Sequence, residues 1–160
     1  MNLKDILKKY RDELRDLFDD QEIVAIFYLV SEHILNSNRA ATILKMNDEL
    51  TASDRDAFLS VCLELMLGKP VQYVLGKAYF YGLSLDVSTA VLIPRPETEE
   101  LVEMVIIAGK QSQAPLRILD IGTGSGCIAI AIKTNLPTLR YRHLMCPGRR
   151  CRLQFKTLKT

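Results

Sequence analysis

The sequence predicts an α/β chain built in three parts. Residues 1–68 read as a helical bundle, residues 69–110 as a connector with a β-hairpin and a helix, and residues 111–139 as the start of a parallel sheet. Three observations carry this. Apolar residues recur at helical spacing through the first 68 positions. Two alternating runs flank Tyr81-Gly82, a hairpin turn pair. Leu116–Ile121 is an apolar run that ends in a glycine loop and then a helix-like stretch.

The first helix rests on Leu3, Ile6, Leu7, Tyr10, Leu14, Leu17 and Phe18, with charges between them. Ile23–Leu35 makes a second, more apolar helix, which Asn36-Ser37-Asn38 breaks. Ala40–Met46 reads as a short third helix. Ser53 is the expected cap of a fourth, with Ala57, Phe58, Val61, Cys62 and Leu65 on its inner face. Gly68 sits where a helix-ending glycine belongs, and Pro70 stops continuation. These stripes are expected to pack against one another as core.

In the connector, Ala78-Tyr79-Phe80 and Leu83–Val87 form the expected hairpin. Pro94 and Pro96 then hold the backbone extended. Glu97, Glu99 and Glu100 crowd the first turn of the next helix, where the dipole favours acids. Leu101, Val102, Val105 and Ile106 give that helix its apolar face, and Gly109 is expected to end it. A polar linker over 110–115 leads into the central strand.

Charge is unevenly spread. Residues 1–120 carry 13 Lys/Arg against 19 acids, net −6, whereas residues 121–160 carry 8 Lys/Arg and no acid, net +8. The sequence pI near 8.3 is therefore a property of the tail. Met1–Tyr10 is charged and amphipathic, unlike a secretory leader, and no run reaches membrane-spanning length. Cys62, Cys127, Cys146 and Cys151 form no metal-binding spacing, and His33 and His143 have no Cys or His partner. A reduced, cytoplasmic chain with no metal site and no membrane contact is the expectation.

The chemistry is concentrated in Asp120-Ile121-Gly122-Thr123-Gly124-Ser125-Gly126. A dinucleotide fingerprint puts its third small residue one position later, at Cys127, and a P-loop needs a Lys that is absent here. An acid followed by three alternate glycines after a strand resembles the first motif of Rossmann-like methyltransferases that use S-adenosylmethionine. The other reading is a glycine-rich turn of an unrelated α/β domain. Under the first reading, Asp120 suits the cofactor's ammonium, and the loop N–H groups suit its oxygens.

Four stretches together give a more specific match. Gly68-Lys69-Pro70-Val71-Gln72-Tyr73-Val74-Leu75-Gly76, Phe80-Tyr81-Gly82, Leu92-Ile93-Pro94-Arg95-Pro96-Glu97-Thr98-Glu99 and Leu119–Gly126 resemble, in order and spacing, the release-factor glutamine methyltransferases (HemK/PrmC family). The resemblance covers residues 68–132, and the helical residues before it look like that family's substrate-recognition domain. It implies a Rossmann-like methyltransferase domain, here incomplete. It also implies methyl transfer from S-adenosylmethionine to the Gln side-chain amide of the Gly-Gly-Gln motif of peptide chain release factors. Asp120, Gly122, Thr123, Gly124, Ser125 and Gly126 are the implied cofactor residues. The family's catalytic Asn-Pro-Pro-Tyr occurs nowhere in the sequence, so no catalytic residue is assigned.

The departure begins after Thr138. The family would show a second strand of the form Val-x-Ala-x-Asp-x-Ser, with its Asp on the cofactor's ribose. This chain has Arg140–Arg150, with no apolar period and no acid. Read from the third base of the Arg140 codon, the genetic code can spell Val-Ser-Ala-Phe-Asp-Val-Ser, and Met145-Cys146 forces the second Val. A one-base deletion near codon 140, or a sequencing error there, is therefore the expected origin of residues 140–160, and residues 139–160 are expected to lack packed structure. The chain would then be truncated and inactive. The alternative of a different class is a non-enzymatic module that holds a translation partner and touches RNA with its basic tail. Only Tyr141 and Phe155 offer rings for stacking there, so nucleic acid is the less favoured partner.

Overall fold

A computed structural model describes residues 1–112 and 117–144, the side chains of Tyr141, His143 and Leu144 excepted. The chain divides into two compact units, Met1–Leu75 and Gly76–Thr160.

The first unit is all helical: α1 (Leu3–Leu14), α2 (Asp20–Leu35), α3 (Arg39–Leu44), α4 (Ala52–Met66) and α5 (Val71–Leu75). Its helices begin where short polar side chains replace missing backbone partners. Asn2 accepts from the N–H of Asp5 at 2.9 Å, while the Asp5 carboxylate accepts from the N–H of Asn2 at 3.0 Å. Asp19 and Asn38 cap α2 and α3 in the same way. The cap of α4 is Thr51, which accepts from Asp54 at 3.1 Å. The expected cap, Ser53, lies inside the helix, because the chain enters helical geometry two residues earlier.

The first helix is shorter than its apolar stripe. It ends at Leu14, whose carbonyl accepts from Leu17 and Phe18 in a tight turn. Leu17 is left half exposed. Asn36 ends α2 in the left-handed region, φ 49°, which Asn tolerates better than most residues. The stretch 69–75, read from sequence as connector, instead adds α5 to the first unit. Its Leu75 is buried in the bundle core, and Val71 and Val74 pack against that core.

That core has an aromatic centre. Phe27 meets Tyr10 edge-on and Phe58 stacked, each at 6.2 Å between centroids. Such pairs add about 0.5–1.5 kcal/mol to area burial. The buried Tyr10 hydroxyl donates to the carbonyl of Phe58 at 2.8 Å, which ties α1 to α4. Burial pushes this phenol far above its ordinary range, and burial likewise raises the Cys62 thiol.

The second unit starts with a hairpin of β1 (Lys77–Phe80) and β2 (Leu83–Asp86), paired antiparallel from Phe80↔Leu83 to Lys77↔Asp86. Tyr81 and Gly82 both have positive φ, 49° and 72°, as the tightest hairpin turns require. Next come α6 (Glu97–Gln111), β3 (Arg117–Ile121), α7 (Cys127–Asn135) and β4 (Arg140–Leu144). Strand β4 pairs parallel with β3, from Arg117↔Arg140 to Ile121↔Leu144. Phe80, Leu85, Val102, Ile106, Cys127, Ala131, Ile132 and Leu139 form one core among these elements.

Three expectations change here. Gly109 does not end α6, which runs to Gln111. A Cβ at Gly109 would overlap Cδ1 of Leu136, so this glycine serves packing rather than termination. Residues 140–144 are not without structure but form β4. Lys133 secures the approach, because its ammonium donates to the carbonyls of Pro137 and Leu139. The remaining tail, residues 145–160, lies outside the described residues, as do Gln113, Ala114, Pro115 and Leu116 before β3. Finally, β3 is not covered on both faces. Ile118 packs on the core, whereas Leu119 and Ile121 are 58% and 76% exposed.

Two outcomes test the first unit. A fragment of residues 1–75 should melt cooperatively by circular dichroism, and one ending at residue 68 should melt lower. Losing the burial of one Leu-sized side chain costs about 1.5–3 kcal/mol, and each kcal/mol shifts Tm by roughly 4–8 °C in a domain this size. The second outcome concerns Tyr10. Its folded-state pKa is raised, so the native state keeps a proton that the unfolded chain gives up near its ordinary 10.0. Stability is then full below that pH and falls as pH rises past it. Tyr10→Phe should cost about 0.5–1.5 kcal/mol at neutral pH through the lost hydrogen bond, and denaturant titrations at rising pH should show a smaller alkaline loss.

Candidate cofactor site

The carboxyl end of β3 runs straight into the glycine loop and α7. Gly122, Gly124 and Gly126 all take positive φ, at 80°, 55° and 77°. A Cβ at Gly122 would meet nothing within 4 Å, and one at Gly124 would meet only the Gly122 carbonyl at 3.8 Å. Backbone conformation therefore explains these glycines, while crowding does not. The loop closes on itself, since the N–H of Gly126 donates to the carbonyl of Thr123 at 2.8 Å. Gly126 then opens α7 and accepts from Ile130 at 2.9 Å.

No side chain caps α7. Its first-turn N–H groups point out of the helix toward the loop mouth, with the positive end of the helix dipole behind them. Thr123 is buried at 6% exposure, and its Oγ1 has no hydrogen-bond partner among the described residues. A buried hydroxyl without a partner costs about 1–3 kcal/mol. An incoming polar ligand would remove that cost. The loop thus presents unspent donors beside an open space, which fits a small polar ligand with anionic oxygens.

Asp120 lies half buried at the end of β3, beside position 143 of β4. Its side chain shares the inward face with Ile118, and Ser125 is half buried in the loop. The fold therefore brings Asp120, Gly122, Thr123, Gly124, Ser125 and Gly126 into one short segment at the carboxyl end of the sheet, where open parallel sheets bind ligands. Cys127 faces the core, away from chemistry. Among the described residues, no three His, Cys, Asp or Glu side chains gather as a metal group, and no helix is long and apolar enough to cross a membrane.

Sequence reasoning missed one arrangement. From sequence, Glu99 is an acid suited to a helix start and the last residue of the family-like Leu92–Glu99 stretch, with no partner assigned. In the fold its carboxylate accepts from the N–H of Tyr81 at 2.8 Å, and Glu103 accepts from the Tyr81 hydroxyl. The Glu103 hydrogen bond pushes the Tyr81 phenol above its ordinary value. The available signal was the spacing of Glu99 and Glu103, which puts both on one helix face.

Residues 5–76 match the family model of the PrmC N-terminal domain. The chain is 42% identical over 138 residues to the release factor glutamine methyltransferase of Flavobacterium psychrophilum, which covers 82% of this chain and 48% of that protein. The enzymes of the same name from Chlorobaculum tepidum and Streptococcus pneumoniae are 42% identical over 116 residues and 36% identical over 138. They cover 70% and 86% of this chain, and 40% and 48% of their own lengths. The chain belongs to the release factor glutamine methyltransferase family. It spans about half the length of the curated relatives it matches. The PrmC N-terminal domain match ends one residue beyond the helical unit, so α5 lies inside that domain.

The glycine loop gives a direct test. Gly124→Ala and Gly122→Ala should each destabilise the second unit by about 1 kcal/mol, because the left-handed backbone disfavours a Cβ. Neither substitution creates a steric clash. Chemical denaturation should show this loss, with the first unit's transition unchanged.

Proposed function

We propose that this chain is the substrate-recognition domain and first cofactor-binding segment of an enzyme that methylates the glutamine side-chain amide of peptide chain release factors, using S-adenosylmethionine. The family names of its relatives support the methyl transfer and its substrate class. One structural observation carries the cofactor reading. Three left-handed glycines and the buried, partnerless Thr123 hydroxyl sit together at the uncapped start of α7. When bound, S-adenosylmethionine supplies an electrophilic methyl group on a sulfonium.

In this reading the chain's own groups bind and orient. The N–H groups of the loop and of α7 take carboxylate oxygens, Thr123 donates its hydroxyl, and Asp120 balances the ammonium. The parallel crossover β3–α7–β4 is read as the opening of a Rossmann-like sheet. The first unit, by its PrmC N-terminal domain match, is read as the part that holds the release factor.

An amide nitrogen is a poor nucleophile, because its lone pair is delocalised into the carbonyl. Catalysis therefore depends on groups that orient the amide and hydrogen-bond to it. The sequence contains no Asn-Pro-Pro-Tyr to do so. Without it, the 160-residue chain is expected to transfer no methyl group and to bind cofactor weakly. A chain with one base restored near codon 140 should regain both activities. A second reading, RNA contact, draws on Arg117, Arg140 and Arg142, which are all exposed on β3 and β4.

Calorimetry with S-adenosylmethionine and a radiolabel assay on a release factor test the proposal. Frame-restored chain should bind at least about tenfold tighter than the 160-residue chain, equivalent to 1.4 kcal/mol, and Thr123→Val should weaken it by about 1 kcal/mol or more. A frame-restored chain that folds but binds no cofactor would sink the reading. RNA binding with a steep salt slope, and no cofactor binding, would favour the second one.

A further inference from the structure

The hairpin turn is held to α6 at two points. The N–H of Tyr81 donates to Oε1 of Glu99 at 2.8 Å, and the Tyr81 hydroxyl donates to Oε2 of Glu103. Glu99 and Glu103 are one helical turn apart and so face the hairpin together. The helix dipole favours an acid at Glu99 but explains neither its bond to the Tyr81 N–H nor Glu103. Glu97 and Glu100 also occupy the first turn of α6, and Glu103 lies beyond it.

The position they hold is a strained one. Tyr81 has φ 49°, a region that a residue with a Cβ enters only when its surroundings fix it there. Its neighbour Phe80 is 1% exposed, in a core that also holds Val102 and Ile106 of α6 and Cys127 of α7. Cys127 is the first residue of α7, directly after Gly126. A shift at the turn would therefore move Phe80, and close-packed cores pass such shifts to their other members.

We propose that Glu99 and Glu103 latch the hairpin onto α6 and act as positioning residues for the Gly122–Gly126 loop. This role rests on reading that loop as the cofactor site. Both glutamates act through Tyr81. The ion pair of the hairpin, Lys77 with Asp86, lies at the far end of its strands from the turn.

Amide hydrogen exchange on the full chain tests the latch. Three protons report on it: the Tyr81 amide at the turn, and the Gly126 and Ile130 amides, whose hydrogen bonds define the loop and the first turn of α7. Amides of α1 and α4, in the separately compact first unit, serve as the internal reference. Glu99→Ala should speed exchange at Tyr81 about tenfold, as expected on losing one hydrogen bond to a charged acceptor. It should also speed Gly126 and Ile130 several-fold while the reference amides keep their rates. Glu99→Gln keeps an acceptor oxygen and should return all three close to the starting rates. Tyr81→Phe removes only the Glu103 contact and should produce a smaller rise at the same three positions. An unchanged Tyr81 amide in Glu99→Ala overturns the latch. A faster Tyr81 amide with Gly126 and Ile130 unchanged overturns the positioning role. So does an equal rise throughout the interior of α6, which would mark a loss of stability alone. The measurement contains no cofactor. Failure of the cofactor reading would therefore show in calorimetry alone, and failure of the latch in exchange alone.

Discussion

The candidate site depends on the packing of α6 against α7. Helix α7 carries the glycine loop at its start, so wherever α7 sits, the loop sits. Its seat is set by Val102 and Ile106 on one side and Cys127, Ala131 and Ile132 on the other. Gly109 permits the close approach at the far end, where the side chain of Leu136 occupies the space a Cβ would need. A larger residue there would have to displace Leu136 or separate the helices, and overpacking of this kind costs about 1–3 kcal/mol. The helix before β3 thus fixes the position of the glycine loop through packing on α7.

The two units are stabilised in different ways, and this bears on what each can do. The first buries Tyr10, Phe27 and Phe58 at its centre, with a side-chain cap at the start of each of its four longest helices, α1 to α4. It satisfies its own termini and its own core. The second buries a smaller core and presents an exposed sheet face with Leu119 and Ile121 on it. A parallel sheet normally has both faces covered. Both units leave apolar side chains exposed, Leu44 and Leu67 in the first and Leu119 and Ile121 in the second, but among the described residues only the second carries a buried hydroxyl without a partner.

Much of this was legible in the sequence where one residue type has one physical use. The Tyr81-Gly82 turn and the alternate glycines after β3 follow from backbone stereochemistry and stand where expected. Pro96 does not hold the backbone extended as expected: it takes right-handed helical dihedrals, φ −55° and ψ −37°, and opens α6, because its fixed φ suits a helix start. Helix ends were less legible. Leu17 and Phe18 continue the apolar stripe of α1, but a tight turn on the Leu14 carbonyl competes with the helix and ends it. Ser53 and Thr51 are equally good caps in isolation, and only the path of the chain chooses Thr51. Gly109 looked like a stop signal because its packing partner, Leu136, is distant in sequence. The roles of Glu99 and Glu103 depend on where a hairpin lands, and no local pattern encodes that. The segment Asp120–Gly126 was legible as a glycine loop between a strand and a helix because its residues are contiguous. The orphaned state of Thr123 Oγ1 was not, because it depends on burial.

Strand β4 shows how little side-chain pattern a strand needs when its neighbour has an open edge. Arg140 and Arg142 are exposed, and nothing in Arg140–Leu144 alternates between apolar and polar. The segment nonetheless pairs with β3 over five residues. Its backbone supplies the hydrogen bonds that an unpaired edge lacks, and the approach is fixed from both sides of the chain. Leu139 is buried in the core immediately before the strand, and Lys133 ties down the turn that precedes it. Anchor and edge together determine the register, and the register puts Leu144 beside Ile121. The carboxyl ends of both strands therefore lie next to Gly122.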